Sequence, residues 1–268
     1  MLAGMPVYPR VVIRPFQPVD AAAVLALVRE LLPLRVESEA SLRQLAEQSR
    51  CWIAADDEAH VIGFGRVSGR RLWIGVRPSA RGRGVGSALW ARVEGHAHEP
   101  AICWTDTDEG RAFAEARGFR RTAIRIVSTL DVAAADVSKP ECPEGVELVP
   151  WSTLESVPTD LEGIERATTP DLAPTGSFVA LLAGRPVAFA LITTDERGVA
   201  ENEFTATLAE FRGRGLATLC KQETVRWARA NGIRTIVTGN DSENAAMLAV
   251  NRKLGYRPAH RRIELARR

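Results

Sequence analysis

The segment Arg81-Gly82-Arg83-Gly84-Val85-Gly86 recurs 131 positions later as Arg212-Gly213-Arg214-Gly215-Leu216-Ala217. Each copy follows an apolar run of strand character and opens a run of helical character. Glycines lack a Cβ, so the backbone can turn sharply and bring successive N–H groups close to one point. A helix start adds the positive end of its dipole, and the flanking arginines add further positive charge. Strand, glycine-rich turn and helix start together make a cradle for an anion such as a pyrophosphate. The chain must therefore fold so as to build that cradle twice. Neither copy ends in Gly-Lys-Ser/Thr, which excludes a Walker loop. The runs ahead of each loop read as antiparallel hairpins, which fits a dinucleotide fingerprint poorly.

The order of elements around the loops also repeats. Val11–Ile13 reads as a strand, Asp20–Leu32 as a helix with Asp20 at its N-cap, and Ser41–Ser49 as a second helix. Cys51–Ala55, His60–Val67 and Leu72–Val76 are hairpin-linked strands. After the first loop come a helix over Ser87–His96, a strand at Ala101–Trp104, a helix over Glu109–Ala116 and strand from Arg120 to Leu130. Ala133–Gly145, with Lys139-Pro140 and Cys142-Pro143, has no periodicity and reads as a linker. The same succession then runs from a strand at Val146–Val149 and a helix near Leu161–Ala167 to a closing strand over Arg257–Leu265. The expected organisation is a first domain over residues 1–132, a linker over 133–145 and a second domain over 146–268.

At 268 residues the chain has the length of two ordinary domains. A net charge of +2 supplies no general field toward nucleic acid or an anionic membrane, and neither is an expected partner. Cys51, Cys103, Cys142 and Cys220 are dispersed and form no CxxC pair. They read as reduced thiols of a cytoplasmic protein rather than as a metal site. The first ten residues lack the apolar run of a signal peptide.

Val76-x-Pro78-x-x-Arg81-Gly82-x-Gly84-Val85-Gly86 after a strand resembles the acyl-CoA signature of the GNAT superfamily of N-acyltransferases. Asn244 through Lys253 to Leu254-Gly255-Tyr256 resembles that superfamily's second signature, and Thr107 through Ala114 to Gly118-Phe119 is a weaker version of it. The resemblance implies an α/β (α+β) chain of two tandem GNAT folds, each a mixed, mostly antiparallel twisted sheet flanked by helices. It implies acetyl-CoA as co-substrate and no metal. Pyrophosphate would lie on Arg81, Gly82, Arg83, Gly84, Val85 and Gly86 in one half. In the other it would lie on Arg212, Gly213, Arg214, Gly215, Leu216 and Ala217. The pantetheine arm would run along Ile74 to Val76, or along Thr205, Ala206 and Thr207, with Asn244 at the start of the last helix.

A carboxylate on the loop strand often serves as base in the superfamily. The second half offers Glu201 and Glu203, which regular alternation would place on one face. Solvated charges on an exposed strand are the other reading of the pair. The matching stretch of the first half, Arg70-Arg71-Leu72-Trp73, has no carboxylate. The superfamily's thiolate-protonating tyrosine falls at Asn251 and Ala114, so it is absent from both halves. These comparisons make the second half the expected catalytic domain and the first a degenerate one. The expected activity is acetyl transfer to a primary amine of a small molecule or peptide, by direct attack. The alternative is a CoA-binding regulatory or interaction protein that has lost catalysis. Two fused domains favour a monomer. His96 and His98 read as a helix end rather than a metal pair, Trp73 as core or pocket wall, and Asp160, Glu162 and Glu165 as an exposed face or a rim for a cationic acceptor.

Overall fold

The computed structural model describes residues 11–136, 138–155 and 167–268. By contact the chain forms two compact units, Met1–Thr122 with Ile263–Arg268, and Ala123–Arg262.

In the first unit, β1 (Val12–Pro15), β2 (Arg50–Ala55), β3 (Val61–Ser68) and β4 (Arg71–Val76) pair antiparallel in sequence order. β5 (Ala101–Thr105) is parallel to β4, with one paired position, Arg71 and Ile102. Helices α1 (Ala21–Leu31), α2 (Glu39–Gln48), α3 (Val85–Val93) and α4 (Asp108–Glu115) complete it. Val61 to Gly65 of β3 are buried on both faces, because α1 and α3 cover opposite sides. Val24, Leu27 and Val28 of α1 pack with Ile53, Phe64 and Trp73. On the other side Gly63 lies under α3, where a Cβ would meet Leu89 at 3.0 Å. Asp20 does precede α1, but it does not cap it with its side chain. Its carboxylate takes two 2.7 Å bonds from the Arg14 guanidinium and one from the Gln17 N–H. Ser38 caps α2 by accepting from the Ser41 N–H.

In the second unit, β7 (Val146–Pro150), β8 (Phe178–Leu182), β9 (Arg185–Thr194) and β10 (Val199–Thr207) again pair antiparallel. β11 (Thr235–Asp241) is parallel to β10 over four positions, from Val199 with Thr235 to Asn202 with Thr238. α5 (Leu216–Ala230) covers one face of this sheet through Leu216, Leu219 and Cys220, packed on Ala188 and Ala190. Trp151, Val179, Phe189 and Leu191 form the core on another side. α6 (Ala245–Lys253) leads into the last strand, β12 (Arg257–Arg267).

The sequence boundary kept residues 123–132 with the first half and 263–268 with the second. Strand pairing assigns both the other way. β6 (Arg120–Asp131) leaves α4 and lies antiparallel to β11, from Arg125 with Asp241 to Asp131 with Thr235. The end of β12 lies antiparallel to β5, from Ile263 with Thr105 to Arg267 with Ala101. Burial accounts for the exchange: Leu130 and Val132 fill the core around Ile236 and Ala228, while Leu265 fills the core around Trp90, Cys103 and Phe119. The first linker residues are held as well, since the Arg229 guanidinium donates to the carbonyls of Val132, Ala133 and Ala135. Residues 156–166, which include Asp160, Glu162, Glu165 and most of the helix expected at Leu161–Ala167, lie outside the described residues.

Candidate active site

Both loops adopt one conformation. Gly82 and Gly84 have φ of 72° and 82°, and Gly213 and Gly215 have 78° each. These left-handed values strain any residue with a Cβ. Gly84 and Gly215 are the N-cap residues of α3 and α5, and each carbonyl accepts the first helical bond at 2.9 Å, from Ala88 and Leu219. Nothing lies within 4 Å of a Cβ built on any of the four glycines. Each loop therefore holds open space above a helix N-terminus, with first-turn N–H groups that have no intrahelical acceptor. Arg81 and Arg212 are not wholly mobile charges: each Nε donates back to the end of its strand, at 3.2 Å to the Val76 and Thr207 carbonyls. Arg214 lies over the Phe211 ring, 5.1 Å from its centroid.

Beyond its one paired position with β5, β4 runs free of that strand through Val76. The splay opens a cavity of ≈ 530 Å³, walled among others by Val76, Arg81, Gly82, Gly84, Val85 and Gly86. That volume lies in the range of small-molecule sites. Its apolar walls include Trp90, Phe113, Ala114 and Phe119, and the first residues of α4 with the preceding Thr105, Asp106 and Thr107 close one side. Trp73, read as core or pocket wall, lines it. Its ring lies across Gly75, where a Cβ would come within 2.3 Å, and its centroid stands 6.3 Å from that of Trp104. Cys103 also faces the cavity, but burial first and Glu264 second push its thiol up to about 12. It stays protonated and a poor nucleophile.

In the second unit the corresponding divergence begins with a bulge. Asn202 pairs with Ile192 and Phe204 with Leu191, so Glu203 is an extra residue in β10. A bulge of this kind ends regular pairing and re-aims side chains. It also interrupts the alternation that would put Glu201 and Glu203 on one face. Both glutamates are half-buried, and each has a partner in the structure. Thr205, Ala206 and Thr207 continue beyond the last position paired with β11. Asn202 is buried, donates to the Leu191 carbonyl, and accepts from the Tyr256 hydroxyl at 2.8 Å.

Asn244 and Thr107 cap their helices, accepting from the Met247 N–H at 3.0 Å and the Gly110 N–H at 3.1 Å. Asn251, at the position of the missing tyrosine, is buried and donates to Asn240 Oδ1 at 2.7 Å. Its own Oδ1 is buried with no hydrogen-bond partner. His96 is exposed and stacks on Trp52, 5.4 Å between centroids. Lys221, a fully buried lysine on α5 whose Nζ lies 4.9 Å from the centroid of the Tyr256 ring, belongs to none of the sequence motifs. Its signal was available: Lys221 stands 131 positions after Trp90, the same offset as the loops. A lone lysine in a helix simply reads as a solvated face.

Comparison with known proteins agrees with this geometry. Residues 146–256 match the Acetyltransferase (GNAT) family and residues 47–121 match the Acetyltransferase (GNAT) domain. A mycothiol acetyltransferase from Tsukamurella paurometabola is 25% identical, covering 92% of this chain and 96% of that protein. One from Kytococcus sedentarius is 24% identical, covering 85% of each. A tandem GNAT protein from the clavulanic acid biosynthesis pathway superimposes with a TM-score of 0.75 at 19% identity, over 96% of this chain and 98% of that one. A GCN5-related N-acetyltransferase from Sphaerobacter thermophilus gives 0.64 at 17% identity, over 96% and 95%. Two GNAT domains in one chain, each with its own loop at a splayed strand, place this protein in the GNAT acetyltransferase family as an acyl-CoA-dependent acetyltransferase.

Proposed function

We propose that the second half transfers an acetyl group from acetyl-CoA to a primary amine of a small molecule or peptide, by direct attack, and that the first half binds acyl-CoA without turning it over. The bulge at Glu203 supports this reading: that carboxylate stands just beyond the last position at which β10 pairs with β11, ahead of the second loop, and Glu201 lies two residues before it. The loop amides from Arg212 to Ala217, with Arg212 and Arg214, would hold the pyrophosphate. The open space over Gly213 and Gly215 suits that group. The unpaired edge of Thr205, Ala206 and Thr207 would bind the amides of the pantetheine arm. A backbone N–H beside the bulge would polarise the thioester carbonyl, the role of an oxyanion-hole donor. Glu203 or Glu201 takes the proton of the attacking amine, directly or through one water.

The first half offers the same cradle from Arg81 to Gly86, with Arg83 beside it and Val76 at the strand end, but a different interior. No carboxylate stands at Arg70 to Trp73, and Trp73 and Trp104 flank the gap where an acceptor would enter. A panel of primary amines with acetyl-CoA, followed by free-thiol release, tests the assignment. Acceptors related to mycothiol lead the panel because relatives bear that name. Glu203→Gln and Glu201→Gln should abolish release between them. Undiminished turnover in the double variant would overturn the assignment to the second half, and no turnover with any amine would leave the regulatory alternative standing.

A further inference from the structure

We propose that Lys221 Nζ gives the proton to the thiolate leaving from CoA in the second half, the task for which Asn251 brings no acidic hydroxyl. The proposal rests on the reading of that half as the transferase.

The two halves carry matching walls. Trp90 and Lys221 lie at the same place after the capping glycines of α3 and α5. Trp90 packs on Phe119 at 5.9 Å between centroids, and Lys221 packs on Tyr256 at 4.9 Å. Phe119 and Tyr256 close their helices alike, each N–H donating to the residue at the tyrosine position, Ala114 at 3.2 Å and Asn251 at 3.0 Å. Trp90, Ala114 and Phe119 all line the first cavity. Lys221, Asn251 and Tyr256 occupy the corresponding positions of the second unit, and there two of the three apolar residues have become polar.

An ammonium fully removed from water needs a partner, and burial alone moves Lys221 down to about 7. Tyr256 against it is a phenol that burial keeps un-ionised, so it supplies no counter-charge. Asn251 Oδ1 is a buried acceptor without a donor. An ammonium set against an aromatic face and a buried acceptor left unpaired describe a place completed by a ligand. The anion formed there in the proposed reaction is the thiolate. As nitrogen bonds to the acyl carbon, the carbon–sulfur bond breaks and the electron pair leaves with sulfur. Sulfur then takes a proton from Lys221, which becomes the neutral amine. The proton of the acceptor goes separately to Glu203 or Glu201, and Lys221 regains its own from water when CoA leaves.

The full-length protein is assayed with hydroxylamine as the acceptor, so that no natural substrate is needed. Lys221→Met should cut turnover by about 10²- to 10⁴-fold, the usual contribution of a positioned acid, with acetyl-CoA affinity kept within about threefold by calorimetry. Lys221→Arg keeps the charge but holds its proton, and should stay slow. Restoration by arginine would overturn proton donation. The second readout is carbamylation of Lys221 by cyanate, followed by mass spectrometry. It should proceed in the free protein and be blocked by CoA more strongly than by CoA lacking sulfur. An amine that cyanate cannot reach, or that CoA does not shield, overturns the proposal. A linear apolar side chain suits the buried site, and thermal melting checks that the Met variant is folded. Wild-type protein that transfers nothing to hydroxylamine would refute the reading of the second half. Transfer that survives Lys221→Met would refute the role of Lys221 alone.

Discussion

Single residues set the chemistry of both halves. Gly215 holds φ at 78° with empty space over its missing Cβ, so Gly215→Val strains the loop and fills the anion position together. Acetyl-CoA affinity at the second loop should fall by about tenfold or more, equivalent to roughly 1.4 kcal/mol, which calorimetry would register as the loss of one class of site. The cysteines give a second check. Cys142 is exposed, whereas Cys51, Cys103 and Cys220 are buried, with Cys51 pushed up to about 11 and the others to about 12. A disulfide reagent should titrate one thiol rapidly in native protein and the remainder on unfolding. Lys221 gives a third. Its ammonium is held at about 7 against an ordinary 10.5, so between those values the unfolded chain binds a proton that the folded chain does not. Stability should therefore rise with pH across that window. Melting temperatures of wild type and Lys221→Met, compared from neutral pH upward, should diverge in favour of the wild type's slope.

At the scale of elements, the hairpins, the loop helices and both signature helices follow from period, caps and glycines. The expected strand at Leu72–Val76 coincides with β4 to within a residue, and α5 ends at Asn231-Gly232, with Gly232 at φ 72°. The bulge in β10 does not follow from any of these. Ala200-Glu201-Asn202-Glu203-Phe204 alternates well enough to read as regular strand, and the residue bonded beside the bulge is distant. Tyr256 reaches Asn202 with its hydroxyl, and Asn202 in turn donates to the Leu191 carbonyl. A bond between residues so far apart in the chain leaves no local trace. Tyr256→Phe removes the donor and strands a buried oxygen, which should cost about 1–3 kcal/mol in urea denaturation. If the bulge depends on that bond, turnover should drop further than acetyl-CoA affinity. The loops were legible for the opposite reason: their function resides in backbone torsions that glycine declares directly.

For the whole molecule, the repeat was legible and the exchange of closing strands was not. Either terminal strand is apolar enough to cover either neighbour, and pattern alone keeps each with its own half. Leu265, fully buried against the first unit's core, shows where the choice was made. Removing residues 263–268 should destabilise the first unit selectively, leaving an uncovered β5 edge open to association. Hydrogen exchange should then report lost protection in Ala101–Thr105 and little change in β8 and β9. Expressing 1–132 and 146–268 as separate chains should give two poorly soluble products that recover when made together.

The same exchange sets an order of events during synthesis. Domains ordinarily fold as they emerge, the N-terminal one first. Here a strand that closes the first unit is made only after the second unit has been made. On the ribosome the first cradle would wait, with one sheet edge open, until the second unit has been translated and the end of β12 has left the exit tunnel. A premature stop anywhere in the second half would then leave the first unit unclosed as well as the second incomplete.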